Sequence, residues 1–179
     1  MDERKDKIQD EILEDFFRNI YPKNTNLKDI LVKVTLLNSF YSTNIYDLFS
    51  LAEHIKELKI DKSLNDSDKK LVEEITKITI GGKKKTFYSF ATKYCSHHNP
   101  NEFPIYDSYV DEVLWYFIKE EKEKNKGKEG FWNYKRCDLK NYETFKDILR
   151  SFKEYYKIDE YSFKQIDQYL WLLGKEYFK

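Results

Sequence analysis

The segment from Lys77 to His98 has the clearest pattern that could support chemistry in this sequence. It contains no acidic residue, and three consecutive lysines directly follow the glycine pair Gly81-Gly82. Glycine has no Cβ, so a glycine turn lets backbone N–H groups and the start of a following helix approach a phosphate closely. We therefore expect a helix-hairpin-helix element that binds nucleic-acid phosphates, with an ordinary helix–helix turn and a solvated lysine face as the alternative. The lysines of the segment are Lys77, Lys83, Lys84, Lys85 and Lys93.

Asp107 is the second residue of interest, because it follows a loop with two prolines and precedes an apolar periodic segment. A carboxylate at the start of a helix accepts hydrogen bonds from the first free N–H groups, which is worth about 1 kcal/mol. The spacing of Val110, Leu114 and Phe117 predicts that helix. A helix cap is thus the structural interpretation of Asp107.

The elements that must position these residues are helices. Apolar residues recur at three- and four-residue steps through most of the chain, while five glycines and three prolines are too few for a turn-rich β fold. A chain of 179 residues with 17% aromatic content can bury one sizeable core, or at most two small helical lobes that share a cleft. The sequence predicts an all-α fold, a compact bundle of about eight short helices with a helix-hairpin-helix element, and a single domain over residues 1–179. Residues 60–66 are expected to form a loop, and a helix is expected from about Lys83 to Tyr94.

Charge and cysteine content exclude several classes of function. The 32 basic and 32 acidic residues balance, so any attraction to a polyanion must come from local segregation of charge. Two cysteines are too few for a disulfide scaffold, and Cys95-Ser96-His97-His98 fits no standard zinc spacing, so neither a metal nor a cofactor is expected. The first residues contain no apolar h-region, so we expect no signal peptide, and no apolar run reaches membrane-spanning length. We expect a cytoplasmic monomer without membrane contact.

The arrangement as a whole resembles the helix-hairpin-helix (HhH-GPD) DNA glycosylase superfamily. That superfamily has a glycine hairpin, a helix, a proline-containing loop and an aspartate that opens the next helix. The segment Pro104-Ile105-Tyr106-Asp107-Ser108-Tyr109-Val110 resembles the family's Pro-Val-Asp-Thr-His-Val signature with one extra residue. Residues 34–44 more loosely resemble the early helix and polar turn on the lesion side. The resemblance covers residues 27–118, followed by a polar loop over 119–139 and C-terminal helices over 140–179 that we expect to pack on the N-terminal helix.

The resemblance implies duplex DNA as the partner and base excision as the activity. Asp107 matches the family aspartate and Lys85 the nucleophilic lysine of the lyase-competent branch, with Lys83 and Lys84 as alternatives for the amine. A carboxylate would stabilise positive charge on the sugar as the N-glycosidic bond breaks, and a lysine amine would form a Schiff base at the anomeric carbon. The expected DNA-binding residues are Gly81, Gly82, Lys83, Lys84, Thr86, His97 and His98. The expected base-pocket or wedge residues are Asn38, Phe40, Tyr41 and Tyr109.

One branch of the family binds an iron–sulfur cluster through cysteines that this sequence lacks, whereas Lys85 is a candidate nucleophile. The resemblance therefore favours the 8-oxoguanine branch, with an oxidised purine as substrate. AP lyase activity is a further expectation. Two other classes of function stay open. One is a non-catalytic DNA-binding helix-hairpin-helix module, in which Asp107 only caps a helix. The other is a helical interaction protein of a defence or regulatory system, in which the lysine face is merely solvated.

Overall fold

A computed structural model describes residues 3–178 and divides the chain into two compact units, Met1–Glu102 and Phe103–Lys179. Where the sequence predicts a single domain, the structure thus has two contiguous units. The boundary between them falls inside residues 27–118, the stretch that carries the family resemblance.

The first unit is mostly helical and contains one small β-hairpin. Its N-terminal helix changes to a π-helical turn over Asp15–Ile20. The helices are α1 (Glu3–Glu14), α2 (Leu27–Tyr41), α3 (Leu48–Leu58), α4 (Asp61–Asn65), α5 (Lys70–Thr76) and α6 (Tyr88–His98), and the strands are β1 (Lys77–Ile80) and β2 (Lys83–Thr86).

The second unit is built from three long helices and two short 3-10 turns, Phe131–Asn133 and Arg136–Lys140. Its helices are α7 (Ser108–Lys124), α8 (Tyr142–Tyr156) and α9 (Phe163–Tyr177). A largely α-helical fold is therefore confirmed across the described residues.

Side-chain caps explain where several of these helices begin. Asn26 accepts a hydrogen bond from the Lys28 N–H at the start of α2, and Asp47 accepts one from the Ser50 N–H at the start of α3. Ser162 and Gln165 form a reciprocal capping box at the start of α9. Each contact satisfies an N–H group that has no acceptor within its own helix.

Each unit has its own apolar core. In the first unit, buried rings and aliphatic side chains of the π-helical turn, α2, α3, α5 and α6 pack together. They include Phe17, Ile30, Leu37, Leu51, Ile75 and Phe90. In the second unit, the core lies between α7, α8 and α9 and includes Phe103, Leu114, Phe145, Leu149 and Leu170.

The predicted helix-hairpin-helix element is wrong, because Lys77–Ile80 and Lys83–Thr86 pair as antiparallel strands. Gly81 and Gly82 have φ values of +55° and +74°, the pair of positive angles that a two-residue type I′ hairpin turn requires. The β-branched run Ile78-Thr79-Ile80 suits a strand, and Ile78 is buried. The helix expected from Lys83 starts at Tyr88 instead and extends to His98.

Two predicted loops also contain helix. Residues 60–66, expected to form a loop, include the short helix α4 over Asp61–Asn65. The polar stretch expected to begin at residue 119 continues α7 as far as Lys124. In α7 the charged residues near Lys124 are compatible with helix because they extend a helix whose apolar face is already packed.

Candidate functional site

The hairpin Lys77–Thr86, called the lysine hairpin below, presents its basic residues to solvent. All of β2 is exposed, and Lys83, Lys84 and Lys85 form no ion pair with any carboxylate in the part of the chain that the structure describes. Lys77 differs, because its Nζ lies 2.9 Å from Glu73 Oε2. The three lysines of β2 therefore leave a concentrated positive charge on a protein with no net charge.

Strand register divides these lysines between two faces. Lys83 and Lys85 stand opposite Ile80 and Ile78, whereas Lys84 stands opposite Thr79. Directly paired residues share a face, so Lys83 and Lys85 lie on the face that buries Ile78, and Lys84 lies on the other.

The two glycines at the tip have open surroundings. A Cβ placed on either Gly81 or Gly82 would meet no atom within 4 Å, and both residues are exposed. The glycines are thus required by the turn geometry and not by any close approach within the protein.

Asp107 caps α7, as its structural interpretation predicts. Its Oδ1 accepts a hydrogen bond of 2.9 Å from the Val110 N–H, and the residue is half-buried. Lys85 belongs to the unit Met1–Glu102 and Asp107 to the unit Phe103–Lys179.

The segment before Asp107 is held by hydrogen bonds from three helices of its own unit. Asp167 Oδ2 accepts from the Ile105 N–H at 3.0 Å, and the Tyr142 hydroxyl donates to the Pro104 carbonyl at 3.1 Å. The Tyr106 hydroxyl donates to Asp111 Oδ1 at 2.9 Å. This segment is therefore fixed in place before any ligand arrives.

Arg136 completes this arrangement by pairing with two carboxylates of α7. Its Nε donates to Asp111 Oδ2 at 2.7 Å, and its guanidinium also contacts Glu112. Burial, together with the Asp111 carboxylate, raises the pKa of Tyr106 well above its usual value. Tyr106 thus stays a neutral hydrogen-bond donor to Asp111 at neutral pH.

Two of the predicted binding residues, Tyr41 and His97, meet in the first unit. The Tyr41 hydroxyl lies 3.1 Å from His97 Nε2, and His97 is buried. Arg18 Nε donates to the His97 carbonyl at 3.3 Å. His97, expected to bind DNA, therefore lies in the last turn of α6, packed inside the unit.

Of the other predicted pocket residues, Asn38 and Tyr109 have structural partners. Asn38 Oδ1 accepts from Thr43 Oγ1 at 2.6 Å and from the Ile45 N–H at 3.0 Å, which closes the turn after α2. Phe40 is half-buried. Tyr109 packs against Gly174 of α9, where an added Cβ would lie 2.5 Å from Tyr109 Cβ.

A buried polar network around Lys33 was not predicted from the sequence. Lys33 Nζ donates to the Tyr21 and Lys23 carbonyls at 2.9 and 3.2 Å and to Asn24 Oδ1 at 2.7 Å. Its fourth neighbour is His98 Nε2, at 3.2 Å. Burial lowers the pKa of Lys33 to about 8, although Asp61 and Asp29 partly oppose that shift.

The network extends from Lys33 to two further polar residues. The Tyr94 hydroxyl donates to Asn24 Oδ1 at 2.6 Å, and Asn24 Nδ2 donates to Asp61 Oδ1 at 2.7 Å. A signal for it was present in α2, because Lys33 lies at helical spacing among Ile30, Val34 and Leu37 and so had to face the core.

Neither a membrane span nor a metal site is found among the described residues. No helix within residues 3–178 is long and apolar enough to cross a membrane. Over the same residues, no three His, Cys, Asp or Glu side chains are grouped so that they could hold a metal ion.

Comparison with known proteins shows the family to which the chain belongs. A family model described as the HI_0787_N N-terminal domain matches residues 1–102, the same stretch as the first structural unit. An uncharacterized protein of Haemophilus influenzae is 49% identical over 156 residues, which are 87% of this chain and 71% of that protein. No solved structure matches the chain. Because the domain model matches more than half of the chain and the Haemophilus influenzae relative is 49% identical, the chain belongs to the HI_0787_N family.

Proposed function

We propose that this protein binds duplex DNA and contacts the phosphate backbone with the lysine hairpin. The observation that carries the proposal is the run Lys83-Lys84-Lys85, exposed on β2 and without a carboxylate partner among the described residues. A narrow two-stranded ribbon with basic side chains is a shape that fits a DNA groove.

The expected binding is electrostatic and therefore depends on salt. Each lysine that neutralises a phosphate releases condensed counterions, so the logarithm of the association constant falls with the logarithm of salt concentration by about 0.9 per contact. The protein has no net charge, so the surface outside the lysine hairpin adds no overall electrostatic attraction to DNA.

The test is fluorescence anisotropy with a labelled duplex over a series of salt concentrations. The variant Lys83→Gln/Lys84→Gln/Lys85→Gln should bind more weakly and reduce the salt slope by roughly 2 to 3. A matched variant, Lys28→Gln/Lys56→Gln/Lys62→Gln, removes the same charge from exposed positions of the same unit and should bind as the wild type does. Equal loss in both variants would contradict the assignment to the hairpin. Absence of binding in the wild type would instead favour a helical interaction protein.

We further propose that the protein excises a base from the DNA that it binds. What supports it is Asp107, a half-buried carboxylate at the start of α7 on a segment fixed by Asp167, Tyr142 and Asp111. Such a carboxylate can stabilise positive charge on a sugar without reorganising. We propose an oxidised purine, of the 8-oxoguanine class, as the base, and Lys85 as the amine of an associated AP lyase step.

Single-turnover base release from duplexes that each carry one lesion tests this proposal. Asp107→Asn removes the charge but retains a good helix cap, so it should abolish base release with only a small change in the melting temperature. Asp47→Asn makes the same change at the cap of α3 and should release base at the wild-type rate. Borohydride trapping of an adduct that disappears in Lys85→Gln would support the lyase step. DNA binding with no release from any duplex would leave a non-catalytic DNA-binding module.

A further inference from the structure

We infer that Ser89 and Lys93 of α6 form a nucleophile and general-base pair that reacts with ester electrophiles, an activity separate from DNA binding. Lys93 Nζ donates a hydrogen bond to Ser89 Oγ at 2.6 Å, so a neutral Lys93 amine lies within reach of the hydroxyl proton. Ser89 is half-buried and therefore still open to solvent, whereas Lys93 is 4% exposed. A serine hydroxyl needs an adjacent base to become a nucleophile, and a buried lysine can act as one because a low dielectric favours the neutral amine.

A third side chain orients the base. Lys93 Nζ lies 5.1 Å from the centre of the Tyr41 ring, and the hydroxyl of that ring lies 3.1 Å from His97 Nε2. Ser89, Lys93 and His97 are four residues apart along α6, so they lie on one face of the helix. Lys93 thus contacts both the nucleophile Ser89 and the Tyr41 ring that orients it, the order of contacts found in enzymes that use covalent catalysis.

The start of α6 supplies groups that stabilise negative charge. Ser89 lies in the first turn of this helix, and the preceding residue Phe87 provides no side-chain cap. The N–H groups of a first turn have no acceptor within the helix and attract anions. An oxyanion that forms on a group bonded to Ser89 Oγ would therefore develop beside these donors.

The reaction follows from these positions. Ser89 Oγ attacks the carbonyl carbon of an ester, its proton passes to Lys93 Nζ, and the oxyanion is stabilised at the start of α6. The tetrahedral intermediate then collapses, the carbon–oxygen bond to the leaving group breaks, and the ammonium of Lys93 protonates that alcohol. Water hydrolyses the acyl-serine by the same steps, and the products are an alcohol and a carboxylic acid.

A fluorophosphonate probe tests the pair on the full-length protein without knowledge of the substrate. Ser89 Oγ forms a bond to phosphorus, fluoride leaves with the electron pair of the P–F bond, and the hydroxyl proton passes to Lys93. Intact-mass measurement should show one adduct on the folded protein, and peptide mapping should place it on Ser89. This mapping uses the wild type and so does not depend on the folding of any variant.

Variants then separate nucleophile from base. Ser89→Ala should lose the adduct, and Lys93→Met and Lys93→Arg should each slow labelling by about 100-fold or more, because arginine keeps the charge but cannot accept the proton. Circular dichroism and melting temperatures confirm that each variant is folded. Ser50→Ala, which removes a hydroxyl that donates to Asp47 Oδ2 at 2.7 Å, is the matched control and should label as the wild type does.

The inference is overturned if the folded wild type acquires no adduct, if the adduct maps to another residue, or if both Lys93 variants label at the wild-type rate. None of these outcomes bears on DNA binding by the lysine hairpin, which the anisotropy experiment decides independently.

Discussion

Lys33 Nζ and His98 Nε2 lie 3.2 Å apart inside the first unit, although both side chains are basic. The contact is favourable only when the imidazole is neutral and its Nε2 lone pair accepts a hydrogen bond from the ammonium, which places the ring proton on Nδ1. Burial, followed by the charges of Lys33, His97 and Arg18, lowers the pKa of His98 well below its usual value. The pair thus joins α2 to the end of α6 while His98 is neutral.

Acid should destabilise the protein through His98. The pKa of His98 is depressed in the folded state, so below about pH 6.5 the unfolded chain takes up a proton that the folded chain does not. The free energy of unfolding should fall by up to about 1.4 kcal/mol for each pH unit below that value. His98→Gln keeps an acceptor for Lys33 but does not titrate, so its melting temperature should depend less on pH between 7 and 5. His54→Gln is the control, and an equal change in both variants would contradict the assignment to His98.

Replacing Lys33 with methionine should destabilise the protein at pH 7 by roughly 2 kcal/mol, because acceptors on Tyr21, Lys23 and the buried Asn24 lose their donor. Urea unfolding measures the loss, and Lys28→Met on the exposed face of α2 should leave the free energy of unfolding nearly unchanged.

The same substitution should also change the dependence of stability on alkaline pH. The pKa of Lys33 is about 8 in the folded protein and 10.5 in an unfolded chain, so between these values the unfolded chain binds more protons and stability rises with pH. The difference in unfolding free energy between wild type and Lys33→Met should therefore grow by about 3 kcal/mol over that range. A difference that stays constant with pH would show that Lys33 does not titrate there.

The cap at Asp107 predicts how two substitutions should differ. Asp107→Ala removes the acceptor for the Val110 N–H and should cost about 1 kcal/mol, whereas Asp107→Asn retains it and should cost only a few tenths. Urea unfolding of both variants measures the difference. Equal stability of the wild type and Asp107→Ala would contradict a stabilising cap at this position.

Gly174 allows α9 to approach α7 closely. A Cβ at this position would lie 2.5 Å from Tyr109 Cβ and 3.0 Å from Tyr109 Cα, so the two helices would have to separate. Gly174→Ala should lower the free energy of unfolding by about 1 to 3 kcal/mol, even though alanine is the better helix former. Gln168→Ala, on the exposed side of α9, should be neutral or slightly stabilising in the same measurement.

The sequence predicted most helices because their signals are local. The apolar spacing of α2 and the cap residue Asn26 stand within a few residues of the backbone that they order. Asp107 was placed correctly at the start of a helix for the same reason. The lysine hairpin was misassigned because a glycine pair suits a helix–helix turn as well as a type I′ turn. The deciding signal, the β-branched residues Ile78 and Ile80, was present but short.

The surroundings of Lys33 and Lys93 could not be predicted in the same way. Lys33 contacts residues from the segment 21–24 and from the end of α6, and Lys93 lies over Tyr41 of α2. These contacts join positions that are far apart along the chain, so no local pattern specifies which groups meet. The burial of Lys33 was predictable from α2 alone, but its partners were not.

The boundary between Glu102 and Phe103 bears on the order in which the two units fold. Each unit is one uninterrupted stretch of polypeptide, and the first has its own apolar core and its own buried network around Lys33. Since domains fold as they emerge from the ribosome, the core of Met1–Glu102 can form while the residues after Phe103 are still being translated.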